Sequence, residues 1–259
     1  MCLIVIAWRA HPEIPSLVAA NRDEHHGRPT AAARWWTDRT DILAGRDLVA
    51  GGTWIGITRT GRFAAVTNYR DPAAGRADAP SRGSLVRSWL ESTASVAEGL
   101  AHLRKVGADY NGFCLLFSDG ARLGVYESVR GEGRELGSGV FGLSNHLLDT
   151  PWPKVTMAKS RLLDALRGGA DTQSVLALLR DETPAPDEQL PRTGVDLQTE
   201  RRLSSAFIRA ADYGTRSSTL ISIDRSRRVR FDEWSWDSAG AEVGRITLQF
   251  ALQSAQTQA

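Results

Sequence analysis

Cys2 is one of only two cysteines in this chain, and it directly follows the initiator Met. A small second residue is what methionine removal requires, so the sequence predicts a mature chain in which a free α-amine sits beside a thiol. Such an amine titrates at about 7.7 to 8.0 and can take the proton of its own side chain, directly or through one water. The competing role is plain: a small apolar side chain at the start of a strand.

What would activate such a thiol lies about twenty residues on. Residues 2–8 and 16–21 are short apolar or β-branched runs flanking His11-Pro12-Glu13, which predicts a strand pair joined by a modest loop. Pairing about that loop brings together residues whose numbers sum to about 25, so Cys2 faces Arg22-Asp23. A guanidinium there favours thiolate over thiol, and a carboxylate there holds an α-ammonium. A solvated loop-end ion pair would use the same two residues.

The elements that must position these groups alternate in blocks. Leu3, Val5 and Ala7 on one face of the first strand and Ile4, Ile6 and Trp8 on the other predict a strand covered on both sides. Hairpins are expected around Thr60-Gly61, around Asp119-Gly120 and near Arg225. Val96, Leu100, Leu103 and Val106 form one stripe of an amphipathic helix, and Trp152 to Arg167 and Thr172 to Arg180 read as two more, with Asp171 a candidate N-cap. Asp71 to Arg82 and Pro184 to Gly194 read as loops, the first long enough to carry function. Strand pairs, helices, strands, helices, strands is an α+β order with antiparallel sheets. A single domain over residues 1–252 with a polar tail at 253–259 is expected.

Composition excludes several partners. Lys plus Arg number 32 against 30 Asp plus Glu, which leaves no electrostatic footprint for nucleic acid or an anionic membrane. The only lysines are Lys105, Lys154 and Lys159, a bias toward Arg that reads as coding preference. No apolar run approaches the ~18 residues of a membrane span. Two cysteines without CxxC spacing argue for the cytosol and against a metal cluster, with Cys114 in the core.

Seven motifs stand in order: MCLI at 1–4, NRDE at 21–24, GGTWIG at 51–56, TNYRDP at 67–72, YNGF at 110–113, GLSNHLLDTPWPK at 142–154 and YGTRSST at 213–219. Together they resemble the NRDE family, which is the transport and Golgi organisation protein 2 family, from the first residue to about Asp224. That family is more distantly similar to the N-terminal-nucleophile hydrolases of the choloylglycine hydrolase and penicillin V acylase group. The resemblance implies a four-layer α-β-β-α sandwich with Cys2 as nucleophile and Arg22 and Asp23 in contact with it. The group spaces its Arg and Asp three apart, so Asp23 and Glu24 both stay open.

By the same resemblance, Asn68 and Asn145 are the amides that stabilise an oxyanion, and Arg216 is the site arginine. Gly51-Gly52 would bring backbone close to the site, with Thr53 opposite Asn68. Two functions follow. One is an amidohydrolase or acyltransferase on a small-molecule linear amide, needing no cofactor; the other is a binding protein for haem or for acyl-CoA and lipid. Histidines 11, 25, 26, 102 and 146 are the candidate haem ligands in the second, although no CxxCH motif is present.

Overall fold

Alternation of side chains along each strand decides this architecture. The computed structural model describes residues 2–254, so the expectation about Met1 and most of the expected tail lie outside the described residues. The chain begins with β1 (Cys2–Trp8), β2 (Ser16–His25), β3 (Thr30–Trp35), β4 (Ile42–Asp47), β5 (Ile55–Thr58) and β6 (Phe63–Asn68). Helices α1 (Gly83–Glu91) and α2 (Val96–Val106) follow, then β7 (Phe113–Ser118), β8 (Leu123–Glu127), β9 (Glu132–Leu136) and β10 (Gly139–Leu143). A second helical block, α3 (Pro153–Arg167), α4 (Thr172–Leu179) and α5 (Leu197–Leu203), precedes β11 (Tyr213–Ile223), β12 (Arg228–Trp236) and β13 (Glu242–Ala251).

Two antiparallel sheets result, one ordered β10-β1-β2-β11-β12-β13 and the other β3-β4-β5-β6-β7-β8-β9. Ile4, Ile6 and Trp8 enter a core shared with Leu43, Ile57 and Leu116 of the second sheet, while Leu3, Val5 and Ala7 pack on Val155, Leu162 and Leu179 of α3 and α4. A third core joins α1 and α2 to the outer face of the second sheet through Trp89, Leu100, Phe113 and Phe117. Three cores between four layers make the α-β-β-α sandwich, and the expected split of β1 is the observed one.

Helix starts are chemically marked. Ser95 and Glu98 form a reciprocal capping box on α2, and Asp171 accepts from the N–H groups of Gln173 and Ser174 at the start of α4. The first hairpin runs further than the sequence suggests, because β2 continues through Arg22 and Asp23 to His25, held on its other side by β11. The strands β3, β4 and β9 and the helix α5 were not expected; Ala-rich, Gly-containing or exposed polar segments carry little alternation to announce them.

Candidate active site

Three successive rows across β1, β2, β11 and β12, all facing the second sheet, carry the site. The row Ile6, Val18, Ile221 and Phe231 is wholly apolar; the next, Ile4, Ala20, Thr219 and Glu233, is mixed. The last is Cys2, Arg22, Ser217 and Ser235. At this last row the sandwich opens into a cavity of about 750 Å³, lined among others by Cys2, Arg22, Glu233, Asn68, Arg82 and Arg216.

Cys2 pairs in register with Arg22. Burial pushes its thiol up, and so does the nearby Asp23 carboxylate; the Asp23 backbone N–H and the Arg22 guanidinium pull it back. Arg22 is 7% exposed, its Nη2 lies 3.7 Å from Glu24 Oε2, and its buried Nη1 has no hydrogen-bond partner among the described residues. Asp23 and Glu24 separate by strand parity. Asp23 is buried toward the helical layer, where it accepts from Thr215 Oγ1 at 2.7 Å, while Glu24 is half-buried and ion-paired with Arg22 and Arg28.

Behind Asp23 stands a residue that closes the GLSNHLLDTPWPK motif but had no role assigned to it. Lys154, buried on α3, donates to the Leu203 carbonyl at 2.8 Å, and burial pushes it down to about 8. Burial shifts Asp23 the opposite way, upward, against the pull of the Lys154 ammonium, the Thr215 hydroxyl and Arg22. Near it Arg70 pairs with Glu200 at 2.9 Å, both side chains almost fully enclosed.

Glu233 is a second group that had no role assigned to it. Its Oε1 accepts the Ala33 N–H across the sheets at 2.7 Å, its Oε2 faces the Thr219 hydroxyl at 3.4 Å, and burial pushes the carboxyl up to about 7. A signal for it existed: period-two alternation puts it on the buried face of Val229 and Phe231.

The two expected asparagines are hydrogen-bonded to each other, and of the two Asn68 lines the cavity of Cys2. Asn68 is exposed at the end of β6. Asn145, in the left-handed region at φ 54°, donates Nδ2 to the Asn68 main-chain carbonyl at 3.0 Å and lines a neighbouring cavity of about 420 Å³ instead. Arg216 lines the wall with its Nη1 on the His25 and Arg28 carbonyls. Gly52 leads into β5 so tightly that a Cβ there would meet the Gly83 carbonyl carbon at 2.6 Å.

Among their described lining residues, neither of these cavities has a histidine. His146 has both ring nitrogens engaged, with Thr150 at 2.8 Å and Tyr69 at 2.9 Å. The donors around Cys2 are thiol, guanidinium, carboxylate and amide, a set whose one haem-ligating type is the thiolate. No three His, Cys, Asp or Glu among the described residues are grouped to hold a metal ion, and no described helix is long and apolar enough to cross a membrane.

Known proteins resemble this chain in fold and in sequence. Among solved structures, a mutant conjugated bile acid hydrolase from Clostridium perfringens is similar at TM-score 0.52 and 8% identity, over 96% of this chain and 92% of that one. That likeness is one of fold, the N-terminal-nucleophile hydrolase sandwich. In sequence, the chain is 36% identical over 283 residues to the Transport and Golgi organization protein 2 homolog of Bos taurus, covering 98% of this chain and 100% of that protein. The Homo sapiens homolog is 35% identical over 280 residues with the same coverage. Residues 1–238 match the family described as Transport and Golgi organisation 2, and the chain belongs to that family.

Proposed function

We propose that this protein is an N-terminal cysteine amidohydrolase or acyltransferase that cleaves a linear amide of a small molecule through a cysteinyl acyl-enzyme. The observation that carries the reading is the pairing of Cys2 with buried Arg22 in the wall of a cavity of about 750 Å³. In a chain beginning at Cys2, the α-amine takes the thiol proton and Asp23 holds the resulting ammonium. Sulfur then attacks the carbonyl carbon, the C–N bond breaks, and the proton passes to the departing amine. Water, or an acceptor amine, attacks the thioester, leaving with the acyl group as the C–S bond breaks and returning a proton to sulfur. Two unpaired thiols suit the cytosol as its location.

The burial that raises the Cys2 thiol works against nucleophilic activation, and that observation favours a second reading, a pocket that binds acyl-CoA, lipid or haem without turnover. Intact mass after incubation with short N-acyl amides and activated acyl esters separates the two. The expected result is a native chain lacking Met1 that gains one acyl mass, with no gain in Cys2→Ala. Retained Met1 and no acyl adduct with any ester overturn the hydrolase reading.

A further inference from the structure

The resemblance assigns oxyanion binding to two asparagines, and one of them has its amide nitrogen already engaged. Asn145 lines the neighbouring cavity, with its amide on the Asn68 carbonyl. Meanwhile a guanidinium outside every expected motif faces the thiol's cavity. Arg82 immediately precedes α1, half-buried, in the lining of both cavities. One of its nitrogens, Nη1, donates to the Gly112 carbonyl at 3.1 Å. No carboxylate among the described residues pairs with it, and the acidic groups near enough to act on it are the Cys2 thiol, once ionised, and Glu24.

We propose that Arg82, with the Asn68 amide, is the oxyanion-binding pair of this site; the assignment rests on the acyl-enzyme reading above. Cys2 and Arg22 belong to one sheet, whereas Asn68 ends a strand of the other and Arg82 precedes the helix packed on that second sheet. A carbonyl admitted between the two walls has sulfur on one side and N–H donors on the other. When the C–S bond forms, the carbonyl π pair moves onto oxygen, and the free N–H groups of Arg82 and Asn68 receive that charge. When the pair returns to re-form the carbonyl, the C–N bond breaks and the amine leaves with its proton.

Preorganisation is visible in the backbone. Gly83, the residue after Arg82, accepts the Thr53 N–H at 3.3 Å, and its contact with Gly52 leaves no room for a Cβ. The GGTW motif thus acts by fixing the base of the Arg82 side chain. Burial lowers the Arg82 pKa from its ordinary value, as expected of a cation kept without a carboxylate partner.

Two reactions of the same thiol test this on the full-length protein. Acylation by a p-nitrophenyl ester builds an oxyanion and releases nitrophenolate in a burst; alkylation by iodoacetamide builds none. Arg82→Ala should slow the burst about 100-fold or more while changing the alkylation rate less than about 3-fold, since alkylation leaves no developing oxygen charge to lose. Added guanidinium ion should restore part of the burst, and Arg82→Lys should fall between. Equal losses in both reactions would make Arg82 a partner of the thiolate and overturn the proposal. A burst that survives Arg82→Ala overturns it alone, whereas alkylation without any burst in the unaltered protein overturns the acyl-enzyme reading with it.

Discussion

The two ends of the space between the sheets are built from the same strands and do opposite work. At one end Ile6, Val18, Ile221 and Phe231 form an unbroken apolar row; two residues further along each strand the row holds Thr219 and Glu233, and two further on it is Cys2, Arg22, Ser217 and Ser235. The change takes two steps of a period-two pattern. The polar groups therefore inherit the rigidity of strands whose apolar halves are locked in the core. Their desolvation is offset only where each finds a partner, as Glu233 does with Ala33. Stability and chemistry are separated along one axis.

The sharpest way to break that comparison is to hollow out the dry end. Phe231→Ala removes a fully buried ring and should destabilise the fold by about 3 to 5 kcal/mol, read by denaturant titration. At low denaturant its Cys2 alkylation rate should stay within a few-fold of the parent. A collapse of thiol reactivity in still-folded protein would show that the two ends are not separable.

Glu233 stands on the boundary row and gives the comparison a pH dependence. Its carboxyl ionises near 4.5 in an unfolded chain and at about 7 when folded. Between those values the unfolded state releases its proton while the folded state keeps one. Native stability therefore falls as pH rises from about 4.5 to about 7, and the loss is complete above that window. Glu233→Gln keeps an acceptor for Ala33 and cannot ionise, so it should gain stability over the parent at pH 8 by about 2 to 3 kcal/mol and little at pH 4. Parallel stability profiles for the two proteins would refute the assignment.

How much of this could be read from the residues differs at the two ends as well. The apolar faces of β1 were legible from alternation, and its register to within a residue from loop length, which put Cys2 against Arg22-Asp23, where the observed partner is Arg22. The three anticipated inner hairpin turns and the stripe of α2 were legible for the same local reason. Convergence was not. Arg82 carries no periodic signal, and Lys154 meets Asp23 across more than a hundred residues, so each looks like an ordinary charged residue until the sheets stack. Asn145 was placed by motif order, and a left-handed backbone turn then decided where its amide points. Motifs named the segments; only packing oriented the side chains.

Gly52 tests whether the second sheet's wall can be moved without touching the first. A Cβ at Gly52 collides with Gly83 backbone rather than with a flexible side chain, so Gly52→Ala must shift the start of α1. Overpacking of this kind costs about 1 to 3 kcal/mol. Acylation should fall more than alkylation, in the same sense as Arg82→Ala but less. Equal losses would mean the displacement reaches Cys2.

The smallest expected effect concerns the loop from Asp71 to Arg82, which forms part of the wall of both cavities. Arg76 fastens its middle. The Arg76 N–H donates to Asn111 Oδ1 at 2.8 Å, Asn111 Nδ2 donates to the Arg76 carbonyl at 2.8 Å, and Arg76 Nη2 reaches the carbonyls of Ala108 and Asp109. These bonds are exposed, so each is worth about 1 kcal/mol or less. Arg76→Ala removes the two made by the side chain and leaves the Asn111 pair, which loosens the strap without unfolding anything it touches. Thiol reagents of two sizes read the result: labelling of Cys2 by a bulky maleimide should rise about 2- to 5-fold, the factor that about 0.5 to 1 kcal/mol corresponds to, while labelling by iodoacetamide should barely change. Arg76→Ala combined with Asn111→Ala should extend the gain for the bulky reagent. If both reagents speed up together, the loop controls the electrostatics at Cys2 and not the size of the opening, and the wet end of the sandwich is then gated by its charges alone.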